Sequence, residues 1–272
     1  MAVRPIHPFR EIISCVVVLF ANPILALPNV VAAIVPIIVL LPFGGLALLS
    51  PGTQAVPAAS ISTPLFFVGF GLTIVVGAIL AVISTGALYR GAADALSGRP
   101  VTISSLVAAG PKNGWNIAGF FVILFVVGLV AELLVGMLAM ATHGALGWMG
   151  FVFFFVAAIF AGYTLVYALP ALVVGGKSPG DAIMESGELA WTNQGATIVL
   201  VLASIAMAAC AFAIELAMGF GPSNPILVLS KVVVNAFVQL VFVVLAALFA
   251  VRFYMLLAND APPDTPPAPI GP

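Results

Sequence analysis

Charge is what this chain has least of. Lys, Arg, Asp and Glu make up 6% of its 272 residues, against 63% hydrophobic ones. Soluble domains run near a quarter charged, so the composition excludes a soluble globular protein. A net charge of −1 gives no electrostatic footprint for nucleic acid. Cysteine is nearly absent: Cys15 and Cys210 stand alone, which argues against a disulfide framework and a thiolate metal site. The two histidines, His7 and His143, lie outside the apolar stretches and far from any acidic pair. No HExxH, no pair of intramembrane aspartates, no Gly-x-Ser-x-Gly elbow and no P-loop occurs. The expectation is a non-enzymatic protein with no cofactor and no metal site.

What the chain does have is length in its apolar runs. A spanning helix needs about 20 mostly apolar residues, and stretches at 28–49, 64–89, 115–141, 148–174, 195–219 and 225–257 qualify. Seven of the eight Lys/Arg residues are Arg4, Arg10, Arg90, Arg99, Lys112, Lys177 and Arg252. They fall at the N-terminus, in the second and fourth connections and at the end of the last stretch; the other connections carry none. The positive-inside rule then places both termini in the cytoplasm of a plasma (inner) membrane. The expected fold is an all-α integral membrane protein, with six transmembrane helices as three hairpins and short interfacial helices on the cytoplasmic side. Its parts are a cytoplasmic N-terminus with an interfacial helix at 1–23, the six-helix domain at 24–257 and a disordered Pro-rich tail at 258–272. Pro36 and Pro42 are expected to kink the first span and Pro170 to bend the fourth. The last stretch is long enough to tilt or protrude.

The N-terminus imitates a signal peptide, with Arg4 and Arg10 before the apolar Ile12–Phe20, and Ile12-Ile13-Ser14-Cys15 imitates a lipoprotein cleavage box. The apolar run follows that box instead of preceding it, and no small-x-small site follows Phe20. The segment therefore reads as a short interfacial helix ending at Asn22-Pro23. In the second connection the preceding helix stops at Gly98-Arg99-Pro100. A short helix is expected over Thr102–Ala109, capped by Thr102 and ended by Gly110-Pro111. In the fourth, Ser178 is the expected N-cap, with Pro179 at the first helical position and Asp181 in the first turn. That helix has Ile183, Met184, Leu189, Ala190 and Trp191 on an apolar side and Asp181, Glu185 and Glu188 on an acidic one. The acidic side is expected to pack on Arg99 and Lys112. Asn22, Asn113 and Asn193 each end a short segment and lead into a long one, at spacings of 91 and 80 residues. The chain thus reads as three copies of a flat helix plus a hairpin.

Charges inside spans are costly and therefore informative. Glu132, Glu215 and Lys231 are the three cases. Glu215 lies eight residues before Ser223 and Lys231 eight after it, so an antiparallel hairpin brings them to one depth, about 12 Å from the turn. The plainer reading is an ion pair that pins the hairpin; the sharper one is a polar-ligand site. Lys231, Asn235 and Gln239 recur at helical spacing on one face, and Glu132 shares the depth of Asn235. These four residues define an expected intramembrane polar track. It reads either as interhelical hydrogen bonding or as a path for a substrate or proton. Tyr163 and Tyr167 share a helix face and read as a packed aromatic pair. Trp115, Trp148 and Trp191 sit where aromatic-belt anchors belong. Gly69-Phe70-Gly71 and the Ala-rich run 203–213 read as close helix packing.

Two segments carry a family resemblance. GALYRGAADALSGRPVTISSL at 86–106 has a helix end, then A-x-x-x-G-R, then a short helix. LPALVVGGKSPGDAIMESGELAWTN at 169–193 has a Pro in a helix end, an apolar run and then a second short helix closing on Asn. Both resemble the prokaryotic membrane domain found fused to glycerophosphoryl diester phosphodiesterases, and its stand-alone relatives. The resemblance covers most of 8–257. It implies six membrane helices with interfacial helices. It implies no phosphodiesterase activity, which in the fused proteins belongs to a separate soluble barrel. Glu188 stands where the pattern has a different charge, against a basic phosphate-binding role for that helix.

The expected function is the handling or presentation of a lipid or other amphipathic molecule in the cell envelope. The alternatives are a small-solute transporter or channel subunit using Glu132, and a structural partner of another membrane protein docked through its Ala/Gly faces. The expected partners are membrane lipids, with a second membrane protein as the other candidate.

Overall fold

A chain this apolar must satisfy its backbone polar groups internally, and helices do so within one segment. The computed structural model describes residues 8–40, 63–141, 147–219 and 225–259, and all the regular structure among them is helical. Five helices carry most of the length: α3 (Thr63–Leu96), α5 (Gly114–Ala141), α6 (Gly147–Leu165), α9 (Gln194–Gly219) and α10 (Pro225–Asn259). Between them lie shorter ones: α1 (Pro8–Ala21), a 3-10 turn (Pro23–Ala26), α2 (Leu27–Leu40), α4 (Ile103–Lys112), α7 (Ala168–Val173) and α8 (Pro179–Thr192).

Five segments are long and apolar enough to cross a membrane: Phe67–Leu96, Gly114–Met137, Phe155–Val173, Gln194–Ile214 and Val233–Ala258. They correspond to the second through sixth expected spans, the make-up of a multi-pass membrane protein. A sixth segment qualifies only if α1 and α2, bent by 88° across Asn22, count together. Residues 41–49 of the expected first span, Pro42 among them, lie outside the described residues, and α2 runs on through Pro36. With 34 and 35 residues, α3 and α10 are about 51 and 52 Å long, well beyond a hydrocarbon core of about 30 Å.

The buried core gathers at one end of the bundle. It takes Cys15 and Leu19 from α1, Leu88 and Ala92 from α3, Ile117 and Phe120 from α5, and Leu200 from α9. The C-terminal half of α10 is its central column, buried at Val244, Leu248, Val251 and Phe253, with α1, α3 and α9 packed around it. Outside this core, α2 packs on α3 and α5 on α6.

Local sequence explains the breaks. Pro170 has no N–H to offer the Val166 carbonyl, and the fourth span is interrupted at Val166-Tyr167, between α6 and α7. Gly98 adopts φ +71° where the chain leaves α3, a region open to glycine at little cost. Thr102 and Ser105 form a reciprocal capping box at the start of α4. Ser178 caps α8 by accepting from the Asp181 N–H at 3.3 Å.

One boundary differs from the sequence reading. α4 does not stop at Gly110-Pro111 but runs to Lys112. Gly110 serves a crossing instead: a Cβ there would lie 2.6 Å from Ile83 Cγ2 and 2.9 Å from the Ile83 carbonyl oxygen. The Gly110 carbonyl in turn lies 3.1 Å from where a Cβ on Gly86 would be. α3 and α4 thus meet backbone to backbone.

Candidate functional site

The residues of the expected polar track lie on two helices, α5 and α10. Glu132 is exposed on α5, whose main neighbours are α6, α3 and α8; α10 packs on α9, α3 and α1. Lys231, Asn235 and Gln239 share a face of the unbroken α10. Asn235 is half-buried, and its Oδ1 is enclosed with no hydrogen-bond partner. Gln239 is exposed. Glu215 and Lys231 are both helical, but their side chains lie outside the described residues, and so does the expected ion pair. Among the described residues, no three His, Cys, Asp or Glu side chains gather as metal ligands.

The polar groups that do meet are at the buried end. Glu11 Oε2 accepts from Arg252 Nε at 2.7 Å, joining α1 to α10 across 241 residues of sequence. Glu185 on α8 accepts from the Tyr254 hydroxyl at 3.2 Å and faces Lys177 Nζ at 3.5 Å. Asp94 holds Arg99 Nη2 at 2.8 Å, with Arg90 at 3.7 Å. Arg99 is therefore engaged within its own connection and not with the acidic side of α8. From the sequence, Arg90, Lys177 and Arg252 mark sidedness alone, and Arg99 was expected against α8. The i, i+4 spacing of Arg90 and Asp94 could have suggested one pair; no local signal joins Glu11 to Arg252.

A second network repairs the break at Pro170. Ser186 on α8 is fully buried. Its Oγ accepts from the Tyr167 N–H at 3.1 Å, and its hydroxyl donates to the Thr164 carbonyl at 2.6 Å. One side chain thus pairs with a backbone donor and a backbone acceptor at the break, as apolar surroundings favour. Thr197 donates to the Asn193 carbonyl at 3.0 Å, and the Tyr167 hydroxyl lies 3.2 Å from the Thr197 oxygen. Tyr163 donates to the Ala190 carbonyl at 3.0 Å and sets its ring edge-on to Trp191. Each tyrosine is thus tied to the α8–α9 junction. The buried stripe of α8 is Ala182, Ser186 and Ala190, small residues that let it lie close under α6 and α7.

Asn22 and Asn193 close their short helices alike. Each side-chain amide donates to the carbonyl four residues earlier, Val18 at 3.1 Å and Leu189 at 3.2 Å. Asn113 is the C-cap of α4. The short helices also share an outward feature: each buries one side in the core and leaves apolar side chains exposed on another. These are Ile13, Val17 and Phe20 on α1, Ile103 and Val107 on α4, and Met184 and Trp191 on α8. Trp115, where α4 passes into α5, is 90% exposed. The Trp148 side chain lies outside the described residues.

Between α2, α3 and α4 lies an apolar groove of about 130 Å³. No family model, curated protein or solved structure matches the chain.

Proposed function

We propose that this chain is a non-enzymatic multi-pass protein of the plasma (inner) membrane, with both termini cytoplasmic, that handles or presents a lipid or another amphipathic molecule. The observation that carries this reading is the set of short helices at the charged end. α1, α4 and α8 each expose apolar side chains next to charged or capped ends. Such helices lie in a membrane interface, and there they meet lipid headgroups and the first methylenes together. The overhang of α3 and α10 beyond a bilayer's hydrocarbon thickness supports placing the charged core at headgroup level. The charge asymmetry supports the cytoplasmic side, and the resemblance to the phosphodiesterase-fused membrane domain supports six spans.

Native mass spectrometry of the protein released from nanodiscs of mixed lipids tests the lipid reading. One lipid species retained well above its bulk share supports it; retention in bulk proportions sinks it. Single-cysteine labelling at positions 143 and 177 in sealed vesicles tests the sidedness, with opposite accessibility expected.

Asn235 favours a second reading. An enclosed amide oxygen without a partner on a spanning helix is costly unless something visits it. In a small-solute transporter, Glu132→Gln and Asn235→Ala would each abolish flux into proteoliposomes while the fold survives. Unchanged flux in both variants removes that reading.

A further inference from the structure

The groove between α2, α3 and α4 is enclosed beneath and open outward. Ile83, Ala87 and Leu106 form its floor; Leu27 and Val31 of α2 and Ile103 and Val107 of α4 form an exposed rim. Its polar lining group, Ser84, donates its hydroxyl to the Ala81 carbonyl of its own helix at 3.1 Å and has no hydrogen left for an occupant. A buried water needs two to four polar partners, and apolar cavities of about 150 Å³ stay dry and admit apolar guests. The groove, at about 130 Å³, is of that size and chemistry.

Two observations say what fills it. The first is continuity. The rim of α2 runs into the exposed Ile34, Ile37 and Ile38, and the α3 wall runs into the exposed Ile79 and Val75. The groove is thus an inlet of the apolar surface that the spans turn to hydrocarbon, not a separate chamber. The second is persistence. α3 and α4 already touch at Gly86 and Gly110, and a Cβ on Gly91 would lie 2.6 Å from Leu106 Cδ2. α3 and α4 have no room to close further on each other, so they do not fill the groove themselves, and an unfilled void forfeits contact on one side of its lining.

We propose that this groove receives one acyl chain of a bilayer phospholipid, entering from the hydrocarbon between α2 and α4. The proposal rests on the lipid reading above and names the site for it. α4, pinned at both ends by its capping box and its glycine crossing, forms the wall that holds the chain in register beside the charged end.

The test uses the full chain in nanodiscs containing a phospholipid with a photoactivatable group in its acyl chain, with adducts mapped by peptide mass spectrometry. Adducts are expected at Ile83, Ala87 and Leu106, as well as at the exposed span residues Phe125 and Phe153. Ala87→Phe should remove the floor adducts and leave those at Phe125 and Phe153. If that variant does not fold, Val31→Trp and Val107→Trp block the mouth from exposed positions and should do the same. Floor residues unlabelled while the span residues are labelled would overturn the groove and leave the membrane reading standing. Floor adducts that survive every blocking variant would also overturn it. Absence of label at Phe125 and Phe153 would overturn both readings together.

Discussion

The two ends of the bundle use the same helices to opposite effect. Toward its C-terminus α10 is surrounded, and 56% of its most apolar stretch is buried, against 11% in α3 and in α5. The buried end holds the described ion pairs, the Ser186 repair and the short helices. The distal half holds apolar side chains facing outward, such as Phe125, Val126 and Phe153. The difference shows where specificity resides. Lipid offers a spanning helix contacts much like those of a neighbouring helix, so apolar surface alone does little to fix an arrangement. Shape and polar pairing must fix it, and both are concentrated at the charged end.

Matched substitutions in the two regions test that contrast. The largest effect is expected at Gly175, where a Cβ would collide with the Tyr254 hydroxyl and the Ala171 carbonyl. Gly175→Ala should cost about 3 kcal/mol by overpacking, read as thermal unfolding in detergent. Gly128→Ala, with open space around it on α5, should be neutral or stabilise by up to about 1 kcal/mol. Equal losses at both sites would refute the contrast.

Next comes the repair of the broken helix. Ser186→Ala leaves the Tyr167 N–H and the Thr164 carbonyl without their partner and should cost about 2 kcal/mol. Ser204→Ala removes only a bond to the Leu200 carbonyl of its own helix and should change stability by less than about 0.5 kcal/mol. A smaller loss at Ser186 than at Ser204 would show that the break needs no repair.

A double-mutant cycle on Glu11 and Arg252 should give a coupling of about 1 kcal/mol, with the charge-swapped double variant recovering part of the loss. The same cycle on Glu215 and Lys231 asks whether the distal half holds a pair of its own, and zero coupling there would remove the expected ion pair. The smallest effect belongs to Arg99→Gln. Its partner Asp94 is close, but the Arg99 side chain is 57% exposed, and solvent screening should keep the change under about 0.5 kcal/mol.

What the sequence made legible were properties of single segments. Apolar runs locate the spanning helices, Ser178 and Thr102 announce their caps, and Pro170 announces the break. What stayed illegible depended on contacts between segments. Gly110 followed by proline has the composition of a helix stop, and only the approach of Ile83 shows that it is a crossing point. Ser186 looks like an ordinary serine on an amphipathic helix until the break it fills is seen. Helical spacing set Lys231, Asn235 and Gln239 on one face, but Glu132 was added to them by depth, and equal depth does not decide which helices are neighbours. The groove escaped notice because its residues are unremarkable one by one, and only three helices meeting around Ser84 create it.

The Glu11–Arg252 contact also sets an order of events during synthesis. Its two residues are separated by 241 positions, and translation proceeds at about 5–20 residues per second. α1 therefore waits roughly 12–48 s after its own appearance before its partner on α10 exists. Through that interval α1 lacks the α10 column that most of its packing is against. The earliest-made helix of the described fold thus completes its packing only once α10 has been made.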